Sequence, residues 1–395
     1  MRAAKPNKPY PTFPLTAHPA GTWCKKIKGR LYHFGGWADP TAALAKYHHQ
    51  VDDLQAGREP TETARGRLTM VDLCNEFLES KQVKVEIGKL SAAMHWDYVR
   101  SCKRLLGIVG RTTIVELLKP KDFDIFAGKL AKGVSVGTFA NRVRLARVMF
   151  RWAATQELIP KPLNFGENFA IPDKATMRAD RQSKPPREFK ADELRAIIDA
   201  AGNPLKAMIL LGLNSGFGQN DVATLPQSAI DIDGGWIDFP RPKTAVERRC
   251  PLWPETVAAL RTALASRPEP SNADFAGLAF VTKYGNPYVR LSDKGTNHDA
   301  VAGAFAKILA ELKLNGNRRA FYSLRRTFET IGGASRDQIC VDHIMGHSPA
   351  SDDMSAVYRQ SIDDDRLRAV ADHVRLWLWP DAKTTATPKL LAFVG

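Results

Sequence analysis

Near the C-terminal end of this chain, Tyr322, Arg325, Arg326, His347 and Tyr358 stand at spacings that could surround one phosphodiester. Arg325 follows Tyr322 by about one helical turn. His347 comes twenty-two residues after Arg325, and Tyr358 eleven residues after His347. Attack on a phosphodiester concentrates negative charge on its two nonbridging oxygens. A guanidinium answers that charge with a planar, two-pronged set of donors. A tyrosine phenol, with an ordinary pKa of about 10, is a weak nucleophile until a proton acceptor and a positive field assist it. The leaving alkoxide needs an acid. His343 and His347 also stand at the i, i+4 spacing of zinc ligands. The H-E-x-x-H glutamate and a third ligand are missing, so neither a metal nor a cofactor is expected.

Three segments carry more of this pattern. Tyr322 to Phe328 reads Y-S-L-R-R-T-F, and Met345-Gly346-His347 follows it. Upstream, Ser215 to Leu225 reads S-G-F-G-Q-N-D-V-A-T-L. Between them, alternation on both sides of Thr244–Glu247 predicts a β-hairpin carrying Lys243-Thr244 and then Arg248 to Leu252. Together these resemble the tyrosine recombinase (phage integrase) family, whose boxes read T-G-L-R-x-x-E-L-x-x-L, K-T, H-x-L-R-H-T-F and L-G-H before a nucleophilic tyrosine. The resemblance implies a site-specific DNA recombinase of mobile elements. It would cut and rejoin DNA through a 3′-phosphotyrosyl intermediate, with no ATP required. By the same resemblance Tyr358 is the nucleophile, Arg325 and His347 serve the phosphate, and Lys243 donates a proton to the leaving 5′ oxygen.

Two positions depart from the family pattern. Tyr322 replaces the first histidine and can still donate a hydrogen bond. Gly218 falls where the first catalytic arginine belongs, and Gln219 lies one residue off, about 100° around a helix. Loss of one preorganised donor costs about 2.7–4 kcal/mol, or roughly 10²–10³ in rate. Arg326 and Arg241 are candidates to supply the missing charge. The alternative reading is a catalytically impaired, integrase-like DNA-binding protein with a regulatory or architectural role.

The fold expected is mainly α with small β elements (α+β). Residues 1–19 read as a flexible basic arm. Over 20–58, two short strands about Gly29 and a helix opened by Asp39-Pro40 form a ββα unit. Its strand lysines Lys25, Lys26 and Lys28, with the resemblance, make it an arm-type DNA-binding domain. Helical periodicity fills 67–158, where the resemblance implies a SAM-like core-binding domain. Its last helix carries Arg144, Arg147 and Arg151 at i, i+3, i+7, a spacing that can track a phosphate backbone. Arg326 is assigned to DNA as well. Residues 159–187, rich in Pro, Lys and Arg, read as a linker. The catalytic domain occupies 188–380, with a β-hairpin, and 381–395 a tail. The resemblance implies self-association on DNA, dimer to tetramer, with residues 362–380 docking on a neighbouring protomer and Leu367, Val370, Val374, Leu376, Trp377 and Trp379 available for it; the alternative is that this helix packs in cis.

A net charge of +15 suits a polyanionic partner, here double-stranded DNA. The stacking motifs of RNA-binding folds are lacking. No apolar run reaches membrane-spanning length, and the N-terminus lacks the apolar stretch of a signal peptide. Five scattered cysteines without a C-x-x-C fit reduced thiols. The expected location is cytoplasmic, in a prokaryote, on the nucleoid.

Overall fold

The computed structural model describes residues 5–11, 13–56, 67–293, 295–349 and 353–382. The chain divides into two compact units, residues 1–184 and 185–395. Both are consistent with the α+β expectation: many helices and three small antiparallel sheets.

The first unit opens with β1 (Thr16–His18), β2 (Thr22–Ile27) and β3 (Arg30–Gly36), antiparallel in that order. Lys28 and Gly29 both take positive φ, at 46° and 83°. That is the geometry a two-residue hairpin turn needs to match strand twist. Helix α1 (Pro40–Ala56) begins where Asp39 Oδ1 accepts from the Ala42 amide at 2.8 Å. It covers Trp23, Ile27 and Phe34 with Ala43, Tyr47 and Leu54. The sheet has one strand more than expected, and the supposed arm supplies it. Phe13 and Leu15 are buried in the same core, and such anchors keep a chain from swinging free. Residues 1–4 lie outside the described residues.

Next come α2 (Met70–Glu86), α3 (Ala92–Val109), α4 (Pro120–Ala131) and α5 (Val136–Thr155). Side chains of Thr69, Ser91 and Ser135 cap α2, α3 and α5 by accepting from the third helical amide. Phe77, Leu105, Phe123, Val143 and Phe150 share the second core. The segment expected as a linker is in large part not one. Ile159 and Phe169 are buried in this core, and the Phe165 and Phe169 rings lie 5.0 and 5.2 Å from that of Phe123. Helix α6 (Lys174–Gln182) then starts at the Asp173 cap. Scattered aromatic anchors, invisible to a periodicity test, fix this stretch.

The second unit contains α7 (Ala191–Ala200), α8 (Leu205–Asn214), α9 (Gln219–Thr224), β4 (Ile230–Asp231), β5 (Trp236–Asp238), β6 (Arg249–Pro251) and α10 (Pro254–Ala265). There follow β7 (Val289–Leu291), β8 (Asn297–Asp299), α11 (Ala300–Glu311), α12 (Tyr322–Gly333), α13 (Gln338–Met345), α14 (Met354–Tyr358) and α15 (Asp364–Leu378). Strands β4, β5 and β6 form the expected hairpin with one added strand. Helix α8 is buried on all sides from Ala207 to Asn214, as a central core helix must be.

The C-terminal helix follows the alternative reading and packs in cis. Leu367, Val370, Val374 and Leu378 of α15 are buried in this unit's own core. The Trp253 indole donates to the Ala371 carbonyl at 2.9 Å, and Arg375 meets Glu255 at 2.7 and 2.9 Å. Most of its apolar face is therefore used in cis, while Leu376, Trp377 and Trp379 stay partly exposed. Residues 383–395 lie outside the described residues. All five cysteines are buried and unpaired. Among the described residues no helix is long and apolar enough to cross a membrane.

Candidate active site

Helix α12 presents Tyr322 and Arg325 one turn apart. Arg325 is 2% exposed, and its guanidinium is spread between two backbone carbonyls. Nη1 donates to Gly216 O at 2.6 Å and Nη2 to Met345 O at 2.9 Å. The side chain thus joins the turn after α8 to the end of α13. Burial, and after it the charge of Arg241, push the Arg325 guanidinium below its ordinary value. Arg325 lines a cleft of about 340 Å³ with Tyr322, Arg326, Met345 and His347. Arg326 is exposed, its guanidinium 5.8 Å from the Tyr322 ring centroid.

His347 follows Gly346, which ends α13 in the left-handed region at φ 63°. Its Nδ1 lies 2.9 Å from Asp342 Oδ1 and 3.8 Å from Glu329 Oε2. Gln338 Nε2 donates to both carboxylates, at 3.0 Å to Glu329 and 3.1 Å to Asp342. One ligand atom from each of Glu329, Asp342 and His347 could approach a cation, since these lie within 4.8 Å of one another. The hydrogen bond gives a simpler account: Asp342 Oδ1 holds Nδ1–H and so leaves Nε2 as the acceptor, with Glu329 Oε2 nearby but not hydrogen-bonded to the ring. His343 does not line the Arg325 cleft, although one cleft that it lines is shared with Asp342 and His347. It lines two other clefts, beside Glu247, and burial lowers its pKa.

Position 218 lies beside Tyr322. A Cβ built on Gly218 would stand 3.5 Å from two Tyr322 ring carbons and 3.3 Å from Asp221 Oδ2. Gly218 caps α9, and its amide donates to that Asp221 oxygen at 2.7 Å. The other Asp221 oxygen accepts from Arg248 Nη2 at 3.2 Å. Arg248 reaches this place from the hairpin. Its Nε donates to Phe239 O at 2.6 Å, and its guanidinium lies 3.9 Å from the Phe217 ring centroid. The side chain has no exposed surface, and buried Nη1 has no hydrogen-bond partner. Burial lowers the pKa of Arg248, and Cys250 and Asp221 oppose that shift. The sequence pattern R-R-x-P-L gave no sign of this burial; a basic residue facing inward on a short strand leaves no periodic trace.

The hairpin loop docks next to His347. Arg241 Nη1 and Thr244 Oγ1 both donate to Gly346 O, at 3.4 and 3.3 Å. Lys243 is exposed on the same loop. Gly346 must be glycine for two reasons. Its φ disfavours other residues, and a Cβ there would stand 2.8 Å from Arg241 Cβ. Tyr358 ends α14 and is 77% exposed. It does not line the cleft of Arg325 and His347.

Of the basic residues expected on DNA, Lys26 and Lys28 are exposed, while Lys25 lies 5.2 Å from the Tyr47 ring centroid. Arg144 and Arg151 are exposed. Arg147 has a different job. It donates to Phe169 O at 3.1 Å and stands 4.8 Å from the Phe165 ring centroid, anchoring the segment after α5. Burial, then the Arg151 charge, lower its pKa.

No curated protein matches this chain in sequence. Residues 187–364 match the model of the phage integrase family. Among solved structures, the chain is similar to a lambda integrase dimer bound to a COC′ core site. That match has 14% identity and a TM-score of 0.54, and covers 91% of this chain and 98% of the other. It is also similar to the Tn1549 transposon integrase in complex with transposon right end DNA. There the identity is 18% and the TM-score 0.55, with 76% of this chain and 98% of that one covered. A lambda integrase tetramer bound to a Holliday junction matches at 16% identity and a TM-score of 0.52, covering 91% and 99%. At such identities the likeness is one of fold. With the family match over residues 187–364, the segment that carries Gly218, Lys243, Arg325, His347 and Tyr358, it identifies a phage integrase family domain in the second unit of this chain.

Proposed function

We propose that this protein is a site-specific recombinase that cuts and rejoins double-stranded DNA through a 3′-phosphotyrosyl intermediate. One observation carries the reading: Tyr322, Arg325, Arg326 and His347 line one cleft beside the docked Lys243 loop. Arg325, already oriented by two carbonyls, offers its remaining N–H groups to a nonbridging oxygen. The Tyr322 hydroxyl donates to the same phosphate. Tyr358 Oη attacks phosphorus, and its proton passes to His347 Nε2. The P–O5′ bond breaks, and Lys243 protonates the departing oxygen. Attack by a 5′ hydroxyl on the phosphotyrosine reverses these transfers and seals the strand. Because Tyr358 stands outside the cleft, the α14 segment closes on DNA before attack.

Lys25, Lys26, Lys28, Arg144 and Arg151 contribute phosphate contacts in the first unit, and Arg326 in the second. Recombination joins two sites, so the protein self-associates on DNA, as the dimer and tetramer of lambda integrase do. We place it in a prokaryotic cytoplasm, on the nucleoid. The second reading, a binding protein with an impaired site, is favoured by the uncharged Gly218. Incubation with nicked suicide duplexes decides between them. A covalent adduct that disappears with Tyr358→Phe is the expected outcome; persistence of the adduct in that variant refutes the mechanism.

A further inference from the structure

We propose that Arg241, on the hairpin loop, supplies the second guanidinium to the scissile phosphate in place of an arginine at position 218. The inference rests on the strand-cleavage reading and names the residue that lets it operate. Arg241 and Arg325 donate to the carbonyls of consecutive residues, Gly346 and Met345. Two hydrogen bonds and one residue of chain place their guanidinium nitrogens within about 10 Å of each other. Neither arginine has a carboxylate partner among the described residues. Two neighbouring cations held only by carbonyls repel each other until an anion arrives between them. Arg241 is the foremost charge acting on Arg325, which fits that proximity.

Of the other cations nearby, Arg248 is committed: it has no exposed side-chain surface and is paired with Asp221. It holds α9 to the hairpin and cannot reach a phosphate without unfolding that contact. Arg326 is exposed over the Tyr322 ring and acts on Arg187. Arg241 is half-buried, and its 3.4 Å bond to Gly346 is long. It is readily exchanged for a shorter, charge-assisted bond to phosphate. Gly218 fits the same scheme. A Cβ at position 218 would meet two Tyr322 ring carbons at an ordinary contact distance of 3.5 Å, so an arginine can be put back beside the ring, and in its absence the charge comes from the hairpin.

The test uses the full chain and nicked duplexes that the wild-type protein selects from a random-sequence pool. The scissile phosphate is mapped from the Tyr358 adduct and then replaced by an uncharged methylphosphonate. On the natural phosphate, Arg241→Ala should slow adduct formation by about 10²–10³, and Arg241→Lys by less. On the methylphosphonate, where there is no charge to neutralise, Arg241→Ala and wild type should agree within about threefold. Adding Gly218→Arg to Arg241→Ala should recover about tenfold or more on the natural phosphate. Recovery and methylphosphonate parity would not occur for a variant that merely misfolds. An Arg241→Ala rate within about threefold of wild type on the natural phosphate overturns the inference alone. So does a defect of equal size on both substrates. A wild-type protein that forms no adduct overturns the strand-cleavage reading, and the inference with it.

Discussion

At the residue scale, the site is defined by how few of its charges are neutralised. Arg325 is buried yet answered by carbonyls alone, at Gly216 and Met345. Burying a guanidinium without a carboxylate is costly, and a phosphate offers the missing compensation. His347 is the contrasting case, with two carboxylates about its Nδ1. That pairing fixes the ring and its tautomer, as in other carboxylate–histidine pairs. Asp342→Asn keeps the shape but removes the charge. It should slow adduct formation about tenfold to a hundredfold, part of what general acid–base catalysis supplies. Duplex affinity should stay within about twofold of wild type, because Asp342 meets His347 and not DNA. Equal losses in rate and affinity would count against this role.

At the scale of elements, α15 decides whether the catalytic unit holds together. Its buried residues Leu367, Val370, Val374 and Leu378 complete the core around α12, α13 and β6. Leu367→Ala should cost about 2–5 kcal/mol in urea unfolding. Glu255 fastens the other side of α15. Burial tends to raise its pKa, but the hydrogen bonds from Arg375 prevail, and the net shift is downward. A depressed carboxylate pKa stabilises the fold above the unfolded-state value. That contribution fades as pH falls from about 4.3, the unfolded value, through the lower folded one. Glu255→Gln should therefore lower the melting temperature by about 2–4 °C at neutral pH. The gap between variant and wild type should narrow in acid; a gap that widens there would refute the linkage. The Arg249–Asp364 pair, at 2.8 and 3.0 Å, holds the start of α15 to the hairpin. Tyr358, between His347 and Asp364 in sequence, is thus tethered within its own protomer at both ends.

At the scale of the whole molecule, a net charge of +15 makes DNA affinity dependent on salt. The exposed and half-buried arginines of α5 should separate cleanly in that measurement. Arg144→Ala and Arg151→Ala should each flatten the slope of log affinity against log salt by about one. Arg147→Ala should leave the slope unchanged and instead lower the stability of the first unit, since it loosens Phe165 and Phe169. A slope change in Arg147→Ala at unchanged stability would return it to the DNA surface. The sequence by itself determined a good deal of this protein. Helical periodicity, capping residues and the Lys-Gly turn are local rules, so the helices of 67–158 and the hairpin near Lys243 were legible. The spaced residues Tyr322, Arg325 and His347 could be grouped because two consecutive helices joined by a short connection carry them. Tertiary structure alone decided the rest. Arg147 and Arg248 turn inward, α15 packs in cis, and the residues from 159 onward join a core, because burial depends on partners distant in sequence. The place of Arg241 beside Arg325 is of the same kind: 84 residues separate them, and only the docking of the hairpin on Gly346 brings the two charges together.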